Sequence, residues 1–110
     1  MDNNTIEQGK TMAIISYLTI IGSVIALILN NDKKNEFAAF HIRQGLGLCS
    51  TYLILGYFIG QFDSWLISIG FWIGFGILFF YGVIMAATGK TQEIPLIGRF
   101  YQNFFKNLGK

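Results

Sequence analysis

Side chains capable of chemistry gather in one stretch, Phe40-His41-Ile42-Arg43-Gln44-Gly45. An imidazole, a fixed guanidinium and a primary amide stand together there in an otherwise apolar run. On a helix, His41 and Gln44 are three apart and share a face with Phe37 and Leu48. Arg43 points about 200° away from His41. An imidazole near a fixed cation suits the holding of an anion, a lipid phosphate or a peptide carbonyl. The competing reading is an anchor at a membrane surface: Arg43 snorkels to the headgroups, His41 sits level with it, and Gln44 hydrogen-bonds across helices. An arginine at a bilayer centre costs about 2.5–3.5 kcal/mol even on the mildest scale, so both readings keep Arg43 near the interface.

Catalysis finds little support. A Ser or Cys nucleophile needs a base in reach, and Cys49 lies roughly 12 Å beyond His41 by helical rise alone. Ser16, Ser23, Ser50 and Thr51 have no base nearby in sequence. The single Cys and single His exclude a disulfide scaffold and a multi-residue Cys or His metal site. With no strands there is no strand-borne phosphate loop. We expect a non-enzymatic protein with no metal and no cofactor.

The elements that must position these residues are membrane helices. Of the 110 residues, 53% are apolar and 13% charged, about half the charge of an average soluble domain. The net charge of +2 is too small for a nucleic-acid binder. The pattern predicts a single all-α integral membrane domain over residues 1–110, with a short polar tail at 1–10. Three transmembrane helices are expected at about 12–29, 36–60 and 65–87, and an amphipathic interfacial helix at about 95–108. The tail holds two acids and one Lys, and the first apolar run is long, so it does not read as a cleaved signal peptide. Asn35 is a candidate cap for the second helix and Asp63 or Ser64 for the third; Gly89 followed by Lys90 reads as the end of the third. In the last segment, Leu96, Ile97, Phe100, Tyr101, Phe104, Phe105 and Leu108 form one face and Arg99, Gln102, Asn103, Lys106 and Asn107 the other.

With three spans, Lys10 faces one side and the other seven cations the opposite side. The positive-inside bias then puts the N-terminus outside and the C-terminus in the cytoplasm. Small residues spaced by four mark faces for close helix approach: Gly22 and Ala26, Gly45 and Cys49, Gly56 and Gly60, and Gly70, Gly74, Gly82 and Ala86.

The segment Phe40-His41-Ile42-Arg43-Gln44-Gly45-Leu46, followed after the last span by Ile94-Pro95-Leu96-Ile97-Gly98, resembles the small bacterial membrane proteins related to the chloroplast import component Tic-twenty. The likeness in layout covers about Met12 to Phe100. The chloroplast member is described as a four-helix channel component for preproteins, whereas three strong spans are read here. The resemblance implies candidate roles for Phe40, His41, Arg43, Gln44 and Pro95, and a bacterial inner (cytoplasmic) membrane location. The expectation is a subunit of a protein-import or channel-like assembly, as a homo-oligomer or beside a larger membrane partner. The alternative is a lipid-binding or membrane-organising protein, whose basic, aromatic cytoplasmic face meets anionic membrane lipids.

Overall fold

A computed structural model describes residues 2–95 and 97–106 as five helices: α1 (Asn3–Ile15), α2 (Ile20–Lys33), α3 (Glu36–Ile59), α4 (Trp65–Ala87) and α5 (Gly98–Phe104). No strand occurs among the described residues. α3 starts where Asn35 accepts from the Ala38 amide, and α4 where Ser64 faces the Ile67 amide. α4 ends in a Schellman turn, with Gly89 at φ +78°. Gly89 N–H donates to Ala86 and Lys90 N–H to Met85, satisfying the last carbonyls.

The expected first span, 12–29, is two helices. Their junction is built from hydroxyls. The Ser16 hydroxyl shares its one hydrogen between the carbonyls of Ala13 (2.6 Å) in its own helix and His41 (3.1 Å) across the fold. The amides of Tyr17 and Leu18 bond three residues back, which tightens and ends α1. Thr19 is extended and its side chain caps Gly22 N–H at 3.0 Å, which starts α2. The chain then reverses. Ser23 Oγ donates to the Ser16 carbonyl, Gly22 lies against the Ile15 carbonyl, and Met12 shares a cluster with Ala26. At about 1.5 Å per residue, α1 and α2 are each roughly 20 Å long, short of a bilayer core of about 30 Å.

α3 is the central helix. α1 lies beside it in the same direction: Thr5 O accepts from Asn35 Nδ2 (2.8 Å), and Ser16 meets Gly45. α2 runs back along it, from Ser23 at Cys49 to Asn30 at Asn35. There Asn30 bonds both backbone groups of Asn35 and supports Lys34 in the left-handed region (φ 50°). α4 returns antiparallel to α3, with Phe71 against Tyr52 and Lys90 at His41. α5 lies across α3, with Tyr101 over Gly47.

Three expectations are corrected by this arrangement. Residues 3–10 are the start of α1, not a polar tail. The N-terminal turns sit beside Asn35 and Gly89, so the chain's start and the segment after α4 share one end, not opposite sides. The C-terminal helix is shorter than 95–108, and the expected positions Leu96, Asn107 and Leu108 lie outside the described residues. Among the described residues, α4 is the one helix long and apolar enough by itself to cross a membrane. α3 is as long, but its first turns carry Glu36, His41, Arg43 and Gln44.

Burial follows the same polarity. The core of Ala13, Tyr17, Phe37, Leu48, Ala86, Ile94 and Tyr101 fills the end where α1, α2 and α5 surround α3. The far halves of α3 and α4 stand out as a bare arm, with Tyr57 69%, Trp65 74% and Leu66 79% exposed. The molecule measures 48 × 23 × 21 Å, its length set by these two helices.

Candidate functional site

His41 and Gln44 lie on one face of α3 and are both wholly buried. α1 delivers Tyr17 to them because the turn that ends α1 drops the ring over Gly82 of α4, where a Cβ would collide with it. The Schellman turn of α4 then carries residues 90–94 across the top.

Three side chains and two backbone groups join through four hydrogen bonds in a directional chain. The Lys90 carbonyl, 2.7 Å from His41 Nε2, can only accept. Nε2 therefore carries a proton and donates. In the neutral ring, Nδ1 then accepts from the Tyr17 hydroxyl at 2.7 Å. That hydroxyl in turn accepts from Gln44 Nε2 at 2.8 Å. Gln44 Oε1 accepts from the Ile94 amide at 2.7 Å. Both ends of the chain are backbone groups of the 90–94 segment. Phe37 and Phe40 close it edge-on, with centroids 4.9 and 5.2 Å from the imidazole. No buried side-chain nitrogen or oxygen among the described residues lacks a partner.

A saturated neutral imidazole is a clamp. A second proton on Nδ1 would turn it from acceptor to donor. The Tyr17 oxygen would then face two donors, and its own hydrogen would be orphaned in a buried site. The site therefore fastens the 90–94 segment and the tip of α1 to α3.

Arg43 lies on a separate face, as its spacing from His41 predicts. Its Nε donates to Gln102 Oε1 (2.8 Å), and Gln102 Nε2 donates to the Phe40 carbonyl (2.8 Å). Thr51 meets the Tyr101 hydroxyl at 2.7 Å. Burial pushes the Tyr101 phenol above its ordinary pKa, against the pull of Thr51. So Phe40, Arg43, Gly47 and Thr51 form the seat of α5, while His41 and Gln44 form the relay. Pro95 borders the relay next to Ile94 and is exposed. Cys49 faces the Ser23 hydroxyl (3.7 Å). Among the described residues, no three His, Cys, Asp or Glu side chains gather in a way that could hold a metal ion.

The small-residue faces divide sharply. Gly22, Ala26, Gly45, Cys49, Gly82 and Ala86 are covered by neighbouring helices. Gly56 only approaches Phe71 at 3.8 Å, and Gly60 meets its own helix. A Cβ on Gly70 or Gly74 would meet nothing within 4 Å. Sequence reasoning missed Tyr17, Asn30 and Asn35 as long-range bonding groups, and Gly9, Gly47 and Gly98 as close approaches. Compared with known proteins, the chain matches no family model, no curated protein and no solved structure.

Proposed function

We propose that this chain is a non-enzymatic, membrane-embedded helical subunit of a protein-import or channel-like assembly. In this reading α3 and α4 cross the bilayer as a hairpin, and α1–α2 dips into one leaflet and returns. Both termini then lie in the cytoplasm and the 61–64 turn outside.

The observation that carries the reading is the polarity of the molecule. Every Lys and Arg among the described residues belongs to the elements at the packed end, and the 61–64 turn carries Asp63 alone. Such segregation orients a membrane protein with its cations in the cytoplasm. The opposite half is an arm of exposed Leu, Ile, Phe, Tyr and Trp, far more than a soluble monomer leaves uncovered. Lipid or a partner subunit must cover it. The saturated imidazole supports a structural task over catalysis. The resemblance at Phe40–Leu46 and Ile94–Gly98 is what suggests import. One α3–α4 hairpin encloses no pore, so that role requires further copies or a larger partner along the arm.

The test combines topology with assembly. In a Cys49→Ser background, Ser64→Cys should react in intact cells with a membrane-impermeant maleimide, and Asp2→Cys only after lysis. Mild extraction should then yield a complex well above the chain's 12.4 kDa. Labelling of Asp2→Cys from outside overturns the topology. A chain recovered alone from native membranes overturns the subunit role.

A further inference from the structure

We propose that the groove at the tip of the α1–α2 hairpin holds the acyl chain of an anionic phospholipid from the cytoplasmic leaflet. The inference rests on the membrane topology proposed above.

The groove encloses about 560 Å³ between the hairpin tip and the facing sides of α3 and α4. Leu18, Ile20, Tyr52, Trp72 and Phe79 supply its walls, and Gly76 lies at its α4 side. Its polar side chains are turned inward to other tasks. The Tyr17 hydroxyl is spent in the relay, Thr19 Oγ1 caps Gly22, and Cys49 faces Ser23. What remains is a largely apolar cleft, with the Tyr52 and Trp72 side chains among its walls, of the size that takes small apolar ligands.

Charge and depth select the occupant. On α1, Lys10 and Ile14 fall at i and i+4, and Leu18 follows in the turn that closes the helix. Lys10 Nζ lies about 4 Å from where a Gly89 side chain would begin, which sets a cation at the seam between α1 and the end of α4, and Lys90 is the next residue in the chain. Leu18 is eight residues further in, about 12 Å by helical rise. One leaflet of hydrocarbon is about 15 Å deep. A phospholipid whose headgroup meets Lys10 therefore has the inner end of its chain level with the near rim of the groove, at Leu18 and at Phe79, which is eleven residues or about 16 Å from Lys90 along the chain. Lys10 also pairs with Glu7 at 3.0 Å. That pair is exposed and contributes little, and the ammonium keeps two further donors for a phosphate.

The test is lipid retention by native mass spectrometry. The purified full chain in mild detergent is incubated with equal amounts of phosphatidylglycerol and phosphatidylcholine bearing identical chains. One phosphatidylglycerol per chain should be retained, favoured about fivefold for each cation that meets it. Lys10→Gln should lower that preference and leave phosphatidylcholine retention unchanged. Gly76→Leu places a side chain where a Cβ meets nothing within 4 Å, so it should fold and fill the groove. Losing the burial of two or three methylenes, it should retain phosphatidylglycerol about tenfold less or worse. Leu18→Trp, at an exposed position, fills the same space from the turn between α1 and α2 and should act alike. Equal retention of the two lipids by the parent chain overturns the proposal. So does unchanged retention in both groove variants, or capture of a second chain instead of lipid. If lipid retention fails while Ser64→Cys still labels from outside, the groove proposal falls and the topology stands.

Discussion

Replacing Tyr17 by Phe isolates the relay from packing. The ring stays over Gly82, and only the oxygen that links His41 Nδ1 to Gln44 Nε2 is removed. Two bonds, of 2.7 and 2.8 Å, disappear; His41 Nδ1 loses its donor, and Gln44 Nε2 keeps only a long 3.5 Å contact with the Gln92 carbonyl. Stranded buried groups cost about 1–3 kcal/mol each, which totals about 2–6 kcal/mol. Hydrogen bonds measured inside a membrane protein average about 0.6 kcal/mol and reach about 1.7 kcal/mol, because the unfolded chain in a membrane also finds partners, so two bonds total up to about 3 kcal/mol. The ranges overlap at about 2–3 kcal/mol, the destabilisation expected for Tyr17→Phe in equilibrium unfolding in mixed micelles. Amide exchange should locate the loss. Ile94 N–H, held by Gln44 Oε1, should exchange faster, while amides in the middle of α4 keep their protection. A double-mutant cycle with Gln44→Leu should give a coupling of about 0.5–3 kcal/mol, since both changes cut one chain. A Tyr17→Phe variant within about 0.5 kcal/mol of the parent, with Ile94 exchange unchanged, would refute the relay as a clamp.

Two further predictions follow from contacts at the packed end. Gly82→Val drives a branched side chain into the Tyr17 ring and should destabilise by about 1–3 kcal/mol or more, whereas Gly74→Val meets open space and should stay folded; equal losses in the same unfolding assay would show that helix propensity, not the covering ring, sets the cost. Asp2 caps α1 by accepting from Thr5 N–H (2.8 Å), and that amide, with the Thr5 hydroxyl, holds its carboxyl below the ordinary range. A depressed folded value means the cap's contribution is present above about pH 4 and is lost as pH falls through the folded pKa. Thr5 amide protection should therefore fall in acid, and Asp2→Asn should remove the pH dependence.

The elements differ in how plainly the sequence announces them. α4 could be read residue by residue, because Ser64 caps an uninterrupted apolar run that ends at a glycine suited to a left-handed turn. α3 was equally plain through Asn35 and Glu36. The break in the first apolar run was hidden because hydropathy barely registers Ser16, Thr19 and Ser23, and neither Pro nor Gly stands at the junction. The usable signal was Thr19 three residues before Gly22, a capping spacing inside a run read as continuous. That one miss carried the topology with it, since a reversal at residues 17–19 returns the chain to the end from which it came. The pairing of His41 with Gln44 and their separation from Arg43 follow from helical geometry alone. Tyr17, Lys90 and Ile94 join them from 24 to 50 residues away, and only tertiary packing brings them in. The glycines teach a related lesson. Gly74 and Gly82 lie on one ridge, yet one is open and the other is capped by a ring. Spacing specifies a face of a helix but not what covers it.

The short hairpin formed by α1 and α2 bears on the order in which the molecule is assembled. Translation delivers these two helices before α3, α4 and α5, and nearly everything they bind comes later. Ser16 needs the His41 carbonyl, Asn35 must meet Thr5, and Tyr17 waits for both His41 and Gly82. Neither helix is long enough to be stopped in the bilayer as a span, and a lone reversal of backbone in hydrocarbon leaves polar groups exposed. α1 and α2 are thus made before their partners and are among the last elements to reach their place. In the proposed topology they dock from the cytoplasmic surface once the α3–α4 hairpin has crossed and the 90–94 segment has returned. Biogenesis of this fold runs against the direction of synthesis. A nascent chain arrested before residue 82 should still present its N-terminal hairpin to cytoplasmic proteases, and release past residue 94 should close it.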